Sequence, residues 1–327
     1  MTKPFKILSL SGGGYRGLYT ATVLNKLENH IRKNDSNNCI ANYFDLITGT
    51  SIGGIIALAI AYKIPTEDIV KIFKTKEKEI FKKQSVGICQ AKYNSDNLKN
   101  ILYEWFEDKL IGDLKRPVVI PSVNYNTGMP VIFKTSHHPN FNRDCDLKII
   151  DVALATSAAP TYFKRHSIGE SEYIDGGIFA NSPALVGLHE AEIFFEEALD
   201  NIKILSIGTM SSKKMINPKT NKKGGLTDWG EGNLLNAASN LMEITLSSQQ
   251  LFLQQMVRHR INDNLIEIDE TLTQSSSQYV GLDKITKEAQ QVLISHAEES
   301  AKKALGMQSV LDLLNEKAKT FEKTNKK

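Results

Sequence analysis

The chain has 327 residues, 41% hydrophobic and 24% charged, with a formal net charge of +3. That is enough for one large α/β domain or two smaller ones, and the charge is too slight to imply a DNA or RNA partner. Cys39, Cys89 and Cys145 are widely spaced and odd in number, which suggests neither a disulfide framework nor a zinc site. The amino-terminal apolar run is too short for a secretion signal, and no run approaches the roughly 20 residues that span a bilayer, so a cytoplasmic protein is expected.

Phe5 to Ser11 is short, apolar and bounded by glycines, as a buried parallel strand would be. Gly12-Gly13-Gly14-Tyr15-Arg16-Gly17 follows, then an amphipathic helix with Leu18, Ala21, Leu24 and Leu27 on one face. Phe44–Tyr62 repeats the unit: the run Phe44–Thr48, the turn Gly49-Thr50-Ser51-Ile52-Gly53, and a helix from Ile55. Two strand–turn–helix units in series argue for βαβ connectivity and a mostly parallel sheet flanked by helices.

Thr66 reads as the N-cap of a helix to about Lys83, with Ile69, Ile72, Phe73 and Ile80 inward and a lysine-rich face in solvent. Ser95 reads as the cap of the next, whose core stripe is Leu98, Ile101, Leu102, Trp105 and Phe106. Pro117–Tyr125 and Pro130–Thr135 form a hairpin-like pair. A short helix over Ile149–Ala155 leads into Thr156-Ser157-Ala158-Ala159-Pro160, and Tyr173-Ile174-Asp175-Gly176-Gly177 precedes a helix expected from Ser182-Pro183 to about Leu199. Ile202–Gly208 is a further buried strand, Ser211 to Gly232 a mobile loop, Leu234 to Met256 a long helix and Leu265–Ile268 a short strand. After a polar loop, Asp283–Leu305 is a helix stopped by Gly306, followed by a last helix and a lysine-rich tail. No repeat or linker interrupts residues 1–327, so one domain is expected, with the chemical motifs in 5–210 and a helical portion over 234–323.

A Gly-x-Ser-x-Gly turn between a strand and a helix is the nucleophile-elbow arrangement; it lifts Ser51 off the sheet toward a substrate. Gly12, Gly14 and Gly17 also satisfy the dinucleotide pattern, but the acidic ribose partner at the end of the second strand is missing and no lysine completes a phosphate loop. The other role for these glycines is an oxyanion hole of bare amides, helped by the charge of Arg16. Serine needs a base. A Ser–Asp–His order can be forced with His189 or His259, yet only one strand and one helix precede the elbow, and the histidines carry no motif and read as surface residues. Ile193 occupies the second ligand position after His189-Glu190, which removes a metalloprotease reading. Asp175, before two glycines, is the better base, and it would act on serine only if desolvation raised its proton affinity.

The ordered set Gly12–Gly17, Gly49–Gly53, Ala155–Pro160 and Asp175-Gly176-Gly177 resembles the patatin-like phospholipase family. The resemblance implies a three-layer patatin-like fold and a Ser51–Asp175 dyad. It also implies an oxyanion hole from Gly12, Gly13, Gly14 and Arg16, with Gly49, Gly53, Gly176 and Gly177 supporting the turns. No cofactor or metal is implied; the substrate would be membrane glycerophospholipid at the inner face of the membrane. One departure is Ser11, where the family usually has Asp; serine can still cap the loop. The compact form is similar to bacterial anti-phage effectors switched on by cyclic oligonucleotides, the CBASS patatin phospholipases. A cyclic di- or trinucleotide activator is therefore an expectation, with Lys213–Lys223 as a gate; Arg258-His259-Arg260 is a basic cluster able to face a phosphate, though such a cluster is more commonly a solvated helix end. Constitutive lipid acyl hydrolysis, a nucleotide-binding protein without hydrolase activity, and the oligomeric state stay open.

Overall fold

A computed structural model describes residues 3–84, 90–210, 224–230, 237–272, 276 and 278–322. The expected Lys213–Lys223 gate and Cys89 lie outside the described residues. Among the described residues eight strands make one mixed sheet: β1 (Phe5–Leu10), β2 (Leu46–Gly49), β3 (Val118–Asn124), β4 (Met129–Lys134), β5 (His166–Ile168), β6 (Ser171–Asp175), β7 (Ile202–Ile207) and β8 (Leu265–Ile268). Their order is β5-β6-β3-β2-β1-β7-β8, with β4 also paired to β3. The run β3-β2-β1-β7-β8 is parallel, while β4 and β6 pair antiparallel with β3, and β5 with β6.

The parallel strands are apolar on both faces because both faces are covered. Alternate side chains enter two cores: Leu8, Ile47, Ile120 and Leu205 on one side, Ile7, Leu46, Val119 and Ile204 on the other. The first core packs against α1 (Gly17–Arg32), α2 (Ile52–Ala61), α3 (Thr66–Thr75), α4 (Glu77–Ile80), α5 (Ser95–Phe106) and α6 (Ile149–Thr156). The second packs against α8 (Ala184–Phe194), which follows the one-turn α7 (Gly177–Ala180), and against the end of α10 (Ala237–Ile261), which follows the short α9 (Leu226–Trp229). The two last helices, α11 (Lys287–Leu305) and α12 (Gln308–Asn315), join the first side, where Tyr19 Oη donates to Ser300 Oγ at 2.8 Å. Helix, sheet and helix thus make the three layers.

Several boundaries differ from the sequence expectation for local reasons. The helix expected over Thr66–Lys83 breaks at Lys76, whose φ of −113° is not helical. Thr66 is its first residue rather than its cap, with its hydroxyl on Glu28 Oε1 at 3.0 Å. Asn94, not Ser95, caps α5 by accepting from the Asp96 amide at 3.0 Å. The helix after Ser182-Pro183 stops at Phe194 instead of Leu199, since Glu196 turns the chain at φ +56°. The helix expected from Asp283 starts at Lys287, capped by Thr286, and the residues before it cross the glycine turn. Among the described residues no helix is long and apolar enough to cross a membrane.

Candidate active site

Strands β1 and β2 run side by side, with Leu10 opposite Gly49, so both glycine turns leave the same carboxyl edge of the sheet. Ser51 sits between β2 and α2 at φ +56°, ψ −127°, a region non-glycine residues rarely occupy. The turn is held from three sides. The Thr50 amide donates to Leu10 O at 3.2 Å, the Ser51 amide to Thr156 Oγ1 at 3.1 Å, and Ile55 N to Ser51 O at 3.1 Å. Gly53 is required there because a Cβ would lie 2.3 Å from the carbonyl oxygen of Leu10.

Asp175 ends β6 opposite Ser122 of β3, which carries it from the antiparallel side to the elbow. Its Oδ2 accepts from Ser51 Oγ at 2.6 Å and its Oδ1 from the Gly177 amide at 2.7 Å. Only 3% of the residue is exposed, and burial pushes the carboxyl up to about 6, against the lowering effect of the two hydrogen bonds. A carboxylate in that range and at that distance can accept the serine proton near neutral pH.

The glycine turn divides its labour. Gly12 N donates to Asn181 O at 3.0 Å, and Thr209 Oγ1 donates to Gly12 O at 2.9 Å, so the Gly12 amide is spent on the frame. Gly13 and Gly14 line the cavity with Ser51, and among the described residues no partner is bonded to their amides. Gly14 takes φ +58°, and Leu282 O lies 2.1 Å from where its Cβ would be. Tyr15 N donates to that same carbonyl at 2.7 Å. Arg16 turns its Nε to Gly13 O at 3.3 Å, bracing the turn from behind; burial lowers its pKa, with Glu243 and Asp269 opposing. Ser11 does not cap this loop as expected. Its hydroxyl is buried without a partner among the described residues.

The cavity opening on Ser51 is narrow, about 80 Å³. Its walls are Ile52 and Ile55 of α2, Phe73 of α3, Ile80 of α4, Leu98 of α5, and Met242 and Leu246 of α10. An acyl chain is the kind of group such walls hold. Residues that sequence reasoning missed hold the frame: Asn181 donates its amide Nδ2 to Gln250 Oε1 at 3.0 Å, Gln249 Oε1 accepts from Asn181 N at 3.0 Å, and Thr156 braces Ser51. Thr156 stands inside the Ala155–Pro160 motif and Asn181 just after Asp175-Gly176-Gly177, but nothing local marked Gln249 and Gln250. Of the histidines read as surface residues, His137 is buried, bonded to Glu190 at 2.9 Å on the far core. Arg258 and Arg260 pair with Glu267 and Glu192 rather than standing free. Among the described residues no three His, Cys, Asp or Glu side chains cluster as a metal site would.

Comparison with known proteins places these features. The model of the patatin-like phospholipases matches residues 8–188. A cGAMP-activated phospholipase of Pseudomonas aeruginosa is 38% identical over 310 residues, covering 92% of this chain and 89% of the relative. One of the same description from Vibrio cholerae is 35% identical, covering 90% of each chain. The crystal structure of VipD from Legionella pneumophila aligns over 96% of this chain and 67% of its own, with a TM-score of 0.52 at 13% identity, a likeness of fold.

Proposed function

The chain belongs to the patatin-like phospholipase family, and we propose on that premise that it hydrolyses membrane glycerophospholipids through a Ser51–Asp175 dyad under the control of a cyclic oligonucleotide. Ser51 Oγ attacks the ester carbonyl as its proton passes to Asp175 Oδ2. The Gly13 and Gly14 amides receive the negative charge that develops on the carbonyl oxygen. Collapse expels the lysolipid alcohol, which takes the proton back, and leaves an acyl-enzyme. Asp175 then deprotonates a water that attacks the acyl ester, releasing fatty acid and free Ser51. The observation that carries this reading is the 2.6 Å hydrogen bond from Ser51 to a carboxyl raised to about 6, at the mouth of an apolar cavity.

Control by a cyclic nucleotide is supported by the relatives described as cGAMP-activated phospholipases; an anti-phage role and action at the inner face of the membrane extend the resemblance carried by the sequence motifs. The decisive experiment is phospholipid hydrolysis by the full chain with and without a panel of cyclic di- and trinucleotides. Ser51→Ala should lower stimulated turnover by about 10⁴-fold or more, and retention of more than about a tenth in either Ser51→Ala or Asp175→Asn would sink the dyad. Full activity without nucleotide would identify a constitutive lipid acyl hydrolase instead.

A further inference from the structure

At the edge of the sheet opposite Ser51 lies a second cleft, of about 570 Å³, inside the range of small-ligand sites. Lys63, Lys115, Arg116 and Lys317 line it, with Leu114 and the ring of Phe321 beside them. Arg116 is only 7% exposed; it donates to Asn42 O at 3.2 Å and to Lys319 O, while its Nε is buried without a partner among the described residues. Asp45, also near Arg116, has both oxygens held by backbone amides, those of Lys6 and Lys319. Lys317 reaches Asp35 at 3.6 Å, but among the described residues Lys63 and Lys115 form no ion pair. The cleft therefore has a surplus of cations, one of them built in, and an aromatic face.

The surrounding segments are those that carry the dyad. Asn42 leads into β2, whose far end is the elbow, and Lys63 follows α2, which leaves the elbow. Lys115 N donates to Ala61 O at 2.8 Å, and Arg116 leads into β3, whose Ser122 pairs with Asp175. We infer that this basic cleft is where a cyclic dinucleotide binds, its phosphates on Lys63, Lys115 and Arg116 and a base against Phe321. The inference rests on the nucleotide-controlled reading above and supplies a place for the nucleotide that the basic residues of α10, already ion-paired, do not. A ligand drawing these segments together acts on both ends of the strand–elbow–helix unit at once.

The test is isothermal titration of cyclic GMP–AMP into the full chain, wild type and Lys63→Glu/Lys115→Glu. Both lysines are exposed, so the double variant should keep the wild-type melting temperature. Its affinity should fall about tenfold or more, while Lys63→Arg/Lys115→Arg should retain binding and wild-type affinity should weaken with salt. Wild-type binding that survives the charge reversal unchanged would place the nucleotide elsewhere and overturn the inference, leaving nucleotide control intact. Equal affinity for inorganic phosphate would overturn it as well, reducing the cleft to a general anion trap. Absence of binding and of activation by every cyclic di- and trinucleotide would overturn both.

Discussion

Asp175→Asn should make the protein more stable while removing its activity. Asparagine has the shape of the carboxyl, accepts from Gly177 N through its oxygen and can donate to Ser51 Oγ, so no bond of the frame is lost. What disappears is a buried charge. The native carboxyl titrates at about 6 against a reference of 3.8, a gap of roughly two pH units that corresponds to about 3 kcal/mol of penalty for the ionised form at pH 8. A carboxyl raised on folding contributes its stability below the unfolded value and loses it as pH rises through about 6. The variant's advantage should therefore be largest at pH 8 and fall to about half that at pH 5. Urea unfolding of both proteins at the two pH values measures it. A variant destabilised equally at pH 5 and pH 8 would refute the idea of a desolvated, catalytically tuned carboxylate.

In the wild type, turnover should drop about tenfold per pH unit below about 6, as Asp175 takes up its proton; a pH–rate profile flat to pH 5 would contradict this. Ser11→Ala removes a buried hydroxyl that has no partner among the described residues, and should stabilise the fold by about 1 kcal/mol with unchanged kcat, read by thermal denaturation and ester hydrolysis. Gln250→Leu leaves the Asn181 Nδ2 without its acceptor, so kcat should fall by about tenfold or more while KM holds, and Gln250→Glu, which still accepts, should restore part of it. Ile80→Trp puts extra bulk into the wall of the apolar cavity; long-chain esters should slow by about tenfold while butyrate esters keep their rate.

The parallel half of the sheet was legible because strands covered on both faces are written as continuous apolar runs: β1, β2, β7 and β8 need no partner information to be seen. The elbow was legible for a steric reason, since glycines at 49 and 53 are demanded by backbone that lies where a side chain would go. The hairpin of β5 and β6 was not. Its strands have three and five residues, are half-exposed, and end in a glycine turn that resembles any loop. Sequence motifs marked all three glycines of the first turn as donors, but which amide is free depends on where Asn181, just past the end of α7 and far along the chain, presents its carbonyl, and no local pattern encodes that. The expected bond from Ser11 failed for a related reason: the capping role passed to Thr209 and Asn181, which reach the loop through the fold rather than along the chain.

Helix α10 meets three different environments along one rod. Met242 and Leu246 face the apolar cavity, Gln249 and Gln250 grip Ile178 and Asn181, and Val257 and Ile261 enter the far core. Leu241, Phe252 and Met256 face outward, each more than a third exposed. Saturation mutagenesis read along this helix would therefore separate into three successive stretches of one buried face and a single outward face. The first stretch would tune chain-length preference, the second would set turnover, the third would set thermal tolerance, and the outward face would accept almost anything that stays soluble. A single selection for activity would blur them together; sorting variants on stability and on substrate length separately would resolve which face of the helix each substitution touches.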